Sequence, residues 1–289
     1  MNRRESLIQQ MRSEFHAGLV DGGTLTVDAR GIASIADRAN RLSVAVGHDI
    51  ATALQVDTEA ERAAGQTLGG SFEEATANFL RATFPAFGML RPGVWDVRKI
   101  GNVRRSAIAA YEPYQHLADL AEAIERDPAL VSVLGNAYAI SPDIVVTRQP
   151  EPDDFINQQD FLVDDEFALM TAIRADMQAL PILHAVVSCK WTLRSDRAQN
   201  ARSEALNLIR NRKGRLPHIA VVTAEPTPSR LSSLALGTGD VDCVYHVALQ
   251  ELVDAMQKHG NDDNIESLAT MINGRRLKDI SDLPLDLTI

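Results

Sequence analysis

Beyond residue 135 the chain reads as short apolar runs alternating with helical stretches, and this alternation limits the possible folds more than any other property of the sequence. The runs are Asp143 to Thr147, Leu183 to Trp191, His218 to Thr223 and Val241 to Val247. Each is rich in Val and Ile and ends at Pro, Gly or charge, the pattern of strands buried on both faces. Helical spacing covers residues 197 to 213, 228 to 235 and 248 to 259. The succession strand, strand, helix, strand, helix, strand predicts an α/β fold with a central mixed β-sheet flanked by helices on both faces. The first half reads as mainly helical, with candidates over residues 2 to 18, 44 to 55, 71 to 84 and 114 to 126. Gln149 to Phe161 is polar, with Pro and several acids, and reads as a loop. One domain is expected over residues 1–289, with 1–135 mostly helical and 136–289 holding the sheet.

A chain of 289 residues with 45% hydrophobic content can bury a full core. No apolar run is long enough for a membrane span, and the opening MNRRESLIQQMRSEF carries no apolar segment behind its basic residues. Neither a span nor a signal peptide is read, and a cytoplasmic protein is expected. Cys189 and Cys243 are the two cysteines, and their apolar settings point to buried free thiols rather than a disulfide or a zinc cage. The net charge of -10 opposes nucleic-acid binding as a total, because duplex affinity comes largely from phosphate neutralisation. Its distribution points the other way. Lys190, Arg194, Arg197, Arg202, Arg210, Arg212, Lys213 and Arg215 fall in one segment that holds only Asp196 and Glu204 as acids. A solvated helix face would also produce such a segment.

Asp143 follows Pro142 and opens the strand Ile-Val-Val, where an ionised carboxylate needs a partner unless it is a turn or cap residue. In Ala185-Val186-Val187-Ser188-Cys189-Lys190-Trp191 the strand alternation puts Val186, Ser188 and Lys190 on one face. A Lys there must be paired, or snorkel at the strand's end. Phosphodiester hydrolysis needs carboxylate oxygens to hold Mg²⁺ and a cation to steady the attacking water or the phosphoryl charge. Asp143 and Lys190 can supply these from adjacent strands. The commoner arrangement has a second carboxylate two residues before the Lys, and here that place is held by Ser188, so another acid must come from elsewhere. Glu204 borders the apolar stripe of Ala198, Ala201, Ala205, Leu208 and Ile209 at about 100° per residue, together with Arg197, and can face the end of the sheet. Ser71 and Glu74 have capping-box spacing, which leaves Glu73 unexplained and a candidate further acid.

Arg194-Ser195-Asp196-Arg197 places two cations at the start of a helix, where the positive end disfavours them unless an external anion is present. Arg donates two bonds to guanine O6 and N7 and Asp accepts from the cytosine amino group, so the cluster suits readout of G·C pairs in the major groove. Asp196 can also be a helix N-cap between solvated arginines. Gly237-Thr238-Gly239 is too short for a phosphate loop and reads as a turn, and the seven His contain no metal-spaced pair.

At these residues the chain resembles the type II restriction endonucleases that cut around a CCGG core, a branch of the PD-(D/E)xK nucleases. Pro142-Asp143 on one strand, Ser188-x-Lys190 on the next and Glu204 on the helix beyond match that branch's signature in order and spacing. The runs SCKWTLRSDRAQNARSE, NRKGRLPHIAVVTAEPTPSR and RLKDISDLPLDL carry the densest likeness. The resemblance implies a restriction-endonuclease-like fold with a recognition helix after the second strand, and two Mg²⁺ ions per active site. Asp143, Glu204 and Cys189 would form the metal set, with Ser188 part of the site, Lys190 orienting or activating water, and Glu73 the N-terminal acid. Arg194 and Arg197 would contact the guanines and Asp196 the cytosines, while Asp37 and Gln66 match positions linked to an outer G·C pair. It further implies a homotetramer binding two copies of double-stranded DNA and staggered hydrolysis of both strands at a palindromic GCCGGC-like site. The ends would carry 5′-phosphates, and a cognate cytosine methyltransferase would protect the host. A structure-specific repair or recombination nuclease on the same fold is the alternative enzyme, and an acidic binding protein the alternative without catalysis.

Overall fold

The strands of the described residues pair into one mixed sheet in simple sequence order: β1 (Trp95–Lys99), β2 (Ile144–Arg148), β3 (Ile182–Lys190), β4 (His218–Thr223), β5 (Cys243–His246) and β6 (Leu277–Asp279). The computed structural model describes residues 5–56, 65–100, 107–127, 129–130, 140–237 and 239–289, without the side chains of 65–68 and 195. β1 pairs with β2 and β2 with β3 in antiparallel fashion, whereas β3 through β6 are mutually parallel. Parallel neighbours need crossovers, and helices supply them. α5 (Ser195–Asn211) joins β3 to β4, α6 (Pro228–Ala235) joins β4 to β5, and α7 (Leu249–His259) with α8 (Asp262–Asn273) joins β5 to β6. Ahead of the sheet lie α1 (Leu7–Asp21), α2 (Arg41–Ala53) and α3 (Gly65–Thr83), and α4 (His116–Arg126) lies between β1 and β2. Ser6, Asn40 and Asn261 cap the starts of α1, α2 and α8 through their side-chain oxygens.

Both faces of the sheet are covered, which explains why the central strands read as near-continuous apolar runs. Ala201, Ala205 and Leu208 of α5 lie over Val186, Ser188, Ile219 and Val221. The alternate residues of β3 face α3, where Trp191 meets Phe72 edge to face at 4.9 Å. The core is continuous from Phe15 to Leu287. Among the described residues no helix is long and apolar enough to cross a membrane. Both cysteines are buried and free, as expected from their settings.

The predicted mixed α/β sheet is present, and the strands foreseen from the sequence lie within two residues of their observed ends. Among the described residues, two strands, helix α8 and the four-residue helical turns Asp153–Ile156 and Leu283–Asp286 were not foreseen. β1 carries Asp96, Arg98 and Lys99, and only Val97 is buried, so its edge position leaves a polar pattern that resembles a loop. Its presence also means that the first half is not purely helical and contributes the edge of the sheet. β6 spans three residues, too few for a period to register, and α8 follows α7 after a two-residue break. α3 begins at Gly65, so the Ser71–Glu74 capping box does not form: both residues lie inside the helix, and Glu74 instead takes Arg81 at 2.8 Å. The polar excursion after β2 continues to residue 181 and includes a helical turn, Asp153–Ile156. Its organiser is Arg174, fully shielded from water, which donates to Asp153 and to the carbonyls of Asp164 at 2.8 Å and Phe167 at 2.8 Å.

Three buried imidazoles make stability depend on pH. His184 Nε2 lies 2.7 Å from the Leu287 carbonyl and His16 Nε2 lies 2.7 Å from that of Val247, while His246 Nδ1 accepts from the Ala248 N–H at 3.1 Å. Burial pushes His184 down to about 3 and His246 to about 4, and lowers His16. The unfolded chain therefore takes up protons below about pH 6.5 that the folded chain refuses. The stabilisation is complete above that value and declines as pH falls, by up to about 1.4 kcal/mol per pH unit for each of His184 and His246, with His16 acting in the same direction. Urea midpoints should drop steadily from pH 7 to pH 5, and a flat profile would show that these rings protonate in the folded state.

Candidate active site

The end of β3 gathers the charges that the sequence singled out. Asp143 immediately precedes β2, and its carbonyl accepts from the Ile100 N–H at 3.0 Å, which anchors it beside β1. Its Oδ2 accepts from the Cys189 N–H at 2.7 Å and from Lys190 Nζ at 3.2 Å, and the Ser188 hydroxyl lies 3.5 Å away. Glu204 reaches the same place from α5: its Oε2 is 3.3 Å from Ser188 Oγ and 3.7 Å from Lys190 Nζ. Lys190 is thus held between two carboxylates and Ser188 links them, the compensation that a partly buried ammonium requires.

Glu73 approaches from the opposite face of the sheet. The register aligns Lys99 with Ile144 and Ile144 with Val187, so Lys99 stands on the side covered by α3. There its Nζ donates to the Gly70 carbonyl at 2.7 Å and lies 3.5 Å from Glu73 Oε2. Glu73 and Asp143 line one cavity of about 500 Å³, with Lys190, Glu204, Asp37, Arg194, Arg197 and Arg230 around it. Acids from both helical layers therefore meet at the sheet's end.

These charges perturb one another. Burial raises the Glu204 carboxyl, and the negative Asp143 adds to that, against the lowering effect of Lys190. Glu73 is raised by burial and by Asp143. Burial alone would lower Lys190, but Asp143 and Glu204 outweigh it and hold the ammonium above its ordinary value. The site thus keeps a fixed cation and a crowd of oxygen ligands short of positive charge. Among the described residues no three His, Cys, Asp or Glu side chains are grouped as an ion cage. The oxygen donors that are present, the carboxylates of Asp143 and Glu204, are of the kind that Mg²⁺ takes. The Cys189 thiol does not suit it: burial pushes the thiol well up, and sulfur is a soft donor. What Cys189 can offer is its carbonyl, since its N–H points at Asp143 and a strand residue presents both groups to the same side.

The recognition candidates separate. Arg194 is the N-cap of α5 and Asp196 lies in its first turn, so Asp196 is not the cap. Arg194 and Arg197 line the cavity, Arg197 lying 3.5 Å from Thr192 Oγ1, whereas Asp196 is exposed and outside the lining. Asp37 is in the lining, ion-paired with Arg230 and bonded to the Ala39 N–H at 3.1 Å. The side chain of Gln66 lies outside the described residues. The basic segment is also not one surface: Lys213 and Arg215 border a separate cavity at the opposite end of β3, beside Ile182 to His184.

Arg230, Lys99, Asn200 and Glu225 were missed. Arg230 carried the same signal as Arg194, a cation in the first turn of a helix, two residues after Pro228. Asn200 sits one turn before Glu204 on the face it shares with Arg197, so the helical period would have included it. Lys99 gave no signal because Glu73 is far away in the sequence, and Glu225 gave none for its tie to Leu193, 32 residues before it.

Comparison with known proteins identifies the family. The family described as NgoMIV restriction enzyme matches residues 15–289. The type II restriction enzyme NgoMIV of Neisseria gonorrhoeae is 51% identical over 283 residues, covering 98% of this chain and 99% of its own. A solved restriction endonuclease PspGI–substrate DNA complex covers 97% of this chain at 12% identity, with a TM-score of 0.25, too slight a likeness to argue from. On the family match and the full-length identity, this chain belongs to the NgoMIV restriction enzyme family and is a type II restriction endonuclease, a site-specific nuclease.

Proposed function

We propose that the protein hydrolyses both strands of duplex DNA at a palindromic GCCGGC-like site, with Mg²⁺, leaving 5′-phosphate ends. The observation that carries this is the convergence of Asp143, Lys190 and Glu204 on Ser188 in a cavity that also receives Arg194 and Arg197. It supports the placement of the site in the PD-(D/E)xK group, with the second acid moved from the strand to α5. Asp143, Glu204 and the Cys189 carbonyl would hold the ion, with Glu73 beside a second one. The ion's chemistry is to withdraw charge from the scissile phosphate and acidify water. The chain's own groups do the rest. Lys190, kept protonated by its two acids, steadies the phosphoryl charge and orients the attacking water rather than removing a proton from it. Ser188 fixes the rotamer of Glu204. Arg194, Asp196 and Arg197 project from the start of α5 as base readers, and Asp37 and Gln66 belong to an outer G·C pair.

We further propose a cytoplasmic homotetramer holding two DNA copies, in a cell whose cytosine methyltransferase protects the host sites. Phe161, Phe167 and Met170 stand exposed on the excursion between β2 and β3, apolar surface that a second copy could cover. Purified protein with Mg²⁺ should cut plasmid into discrete fragments, whose sequenced ends give the site and stagger. A plasmid with two sites should be cut faster than one with a single site, because the second copy is then tethered nearby. Smears, cleavage at ends or junctions, or full activity in EDTA would each reject the reading.

A further inference from the structure

Glu225 follows β4, is fully shielded from water, and has no place in the chemistry described above. A carboxylate in that position has lost its hydration, so its oxygens must find donors within the protein. Oε2 takes the Leu193 N–H at 2.8 Å and lies 3.7 Å from Arg230 Nη1. Oε1 takes the Thr227 N–H at 3.2 Å and the Thr227 hydroxyl. Leu193 belongs to the turn that carries Thr192, Arg194 and Arg197, and Arg230 continues to Asp37. One carboxylate therefore ties together two groups of side chains on the cavity wall: the turn leading into α5, and the Arg230–Asp37 pair. A neutral side chain could brace Leu193 at a smaller desolvation cost, but it would leave Arg230 without its second anion.

We infer that Glu225 is a positioning residue for sequence discrimination, which touches no DNA and fixes the α5 turn relative to Arg230 and Asp37. This rests on the reading of Arg194, Asp196 and Arg197 as base readers. Base readout tolerates displacement of only about 0.5 Å before paired donors and acceptors part. In Glu225→Gln the side chain keeps its shape, but its amide sets a donor against either Leu193 or Thr227, and Arg230 keeps Asp37 as its one remaining anion.

The test compares single-turnover cleavage, with Mg²⁺, of the duplex the enzyme cuts and of duplexes with one base pair changed. Melting temperature and affinity for unrelated DNA are measured alongside. Glu225→Gln should lower the ratio of cognate to altered-site rates about tenfold or more, the scale of one good base contact, with affinity for unrelated DNA unchanged. A folded Glu225→Gln protein with the original ratio overturns the inference, whatever its melting temperature, because a merely structural brace would move only the latter. Should Glu225→Gln fail to fold, Thr227→Val, which removes one donor and keeps the shape, should lower the ratio in the same direction, and an unchanged ratio there would equally overturn it. Arg194→Ala separates the two levels. If it leaves the ratio intact, the base-reading assignment is at fault, and if it collapses the ratio while Glu225→Gln does not, the positioning role is.

Discussion

Asp143→Ala is expected to reduce DNA cleavage by about a thousandfold or more, since removing even one preorganised charge at a reacting centre costs on that order. Its carboxylate is where the Cys189 N–H, Lys190 and the Ser188 hydroxyl converge, so its loss removes the proposed metal anchor and the partner that holds Lys190. Folding should survive. The site holds Asp143, Glu204 and Glu73 in one cavity, and the Asp143 charge raises the other two carboxyls, so deleting it relieves repulsion. The variant's melting temperature should therefore stay near the parent's while activity vanishes, as where stability is given up for chemistry. Lys190→Met should be as inactive but should also weaken folding, because it leaves two part-buried carboxylates facing each other without a cation. Cleavage near the parental rate by folded Asp143→Ala would remove the metal assignment.

The contrast between those two variants indicates what the sequence made legible. Asp143, Ser188, Lys190 and Glu204 were readable because strand alternation and helical period are local rules, and the resemblance to the nuclease signature joined the three elements that carry them, β2, β3 and α5. β1 was not readable: its single buried residue, Val97, leaves the strand to be defined by pairing with β2, which lies more than forty residues away. Lys99 was lost with it, and Glu73 then lacked its partner. The tie from Glu225 to Leu193 depended on a crossover that brings β4 beside β3, a feature of topology that no short window contains, whereas Arg230 stood in the first turn of α6 and was locally readable. Charge clustering misled in the opposite way. The basic run from Lys190 to Arg215 is one segment in the sequence, yet α5 is long enough to deliver its two ends to cavities at opposite ends of β3.

Arg197→Ala is expected to reduce cleavage of the cognate duplex by about ten- to a hundredfold, the value of a bidentate contact to guanine, while leaving the protein as stable as before or slightly more so. The sign follows from position. Arg197 is exposed in the first turn of α5, where the helix dipole opposes a cation by a few tenths of a kcal/mol, and its contact in the free protein is a distant one with Thr192 Oγ1, at 3.5 Å. A residue that costs the free protein energy and pairs with nothing strong there is in place for something absent, and the electronegative, acceptor-rich edge of guanine is a match. Salt dependence discriminates the kind of contact. A base reader should leave the slope of log affinity against log salt unchanged and flatten the preference among sequences. An Arg on phosphate would lower the slope by about one and weaken all sequences alike. A uniform loss with a reduced slope would move Arg197 from reading bases to gripping the backbone, and would leave Arg194 and Asp196 to carry the discrimination.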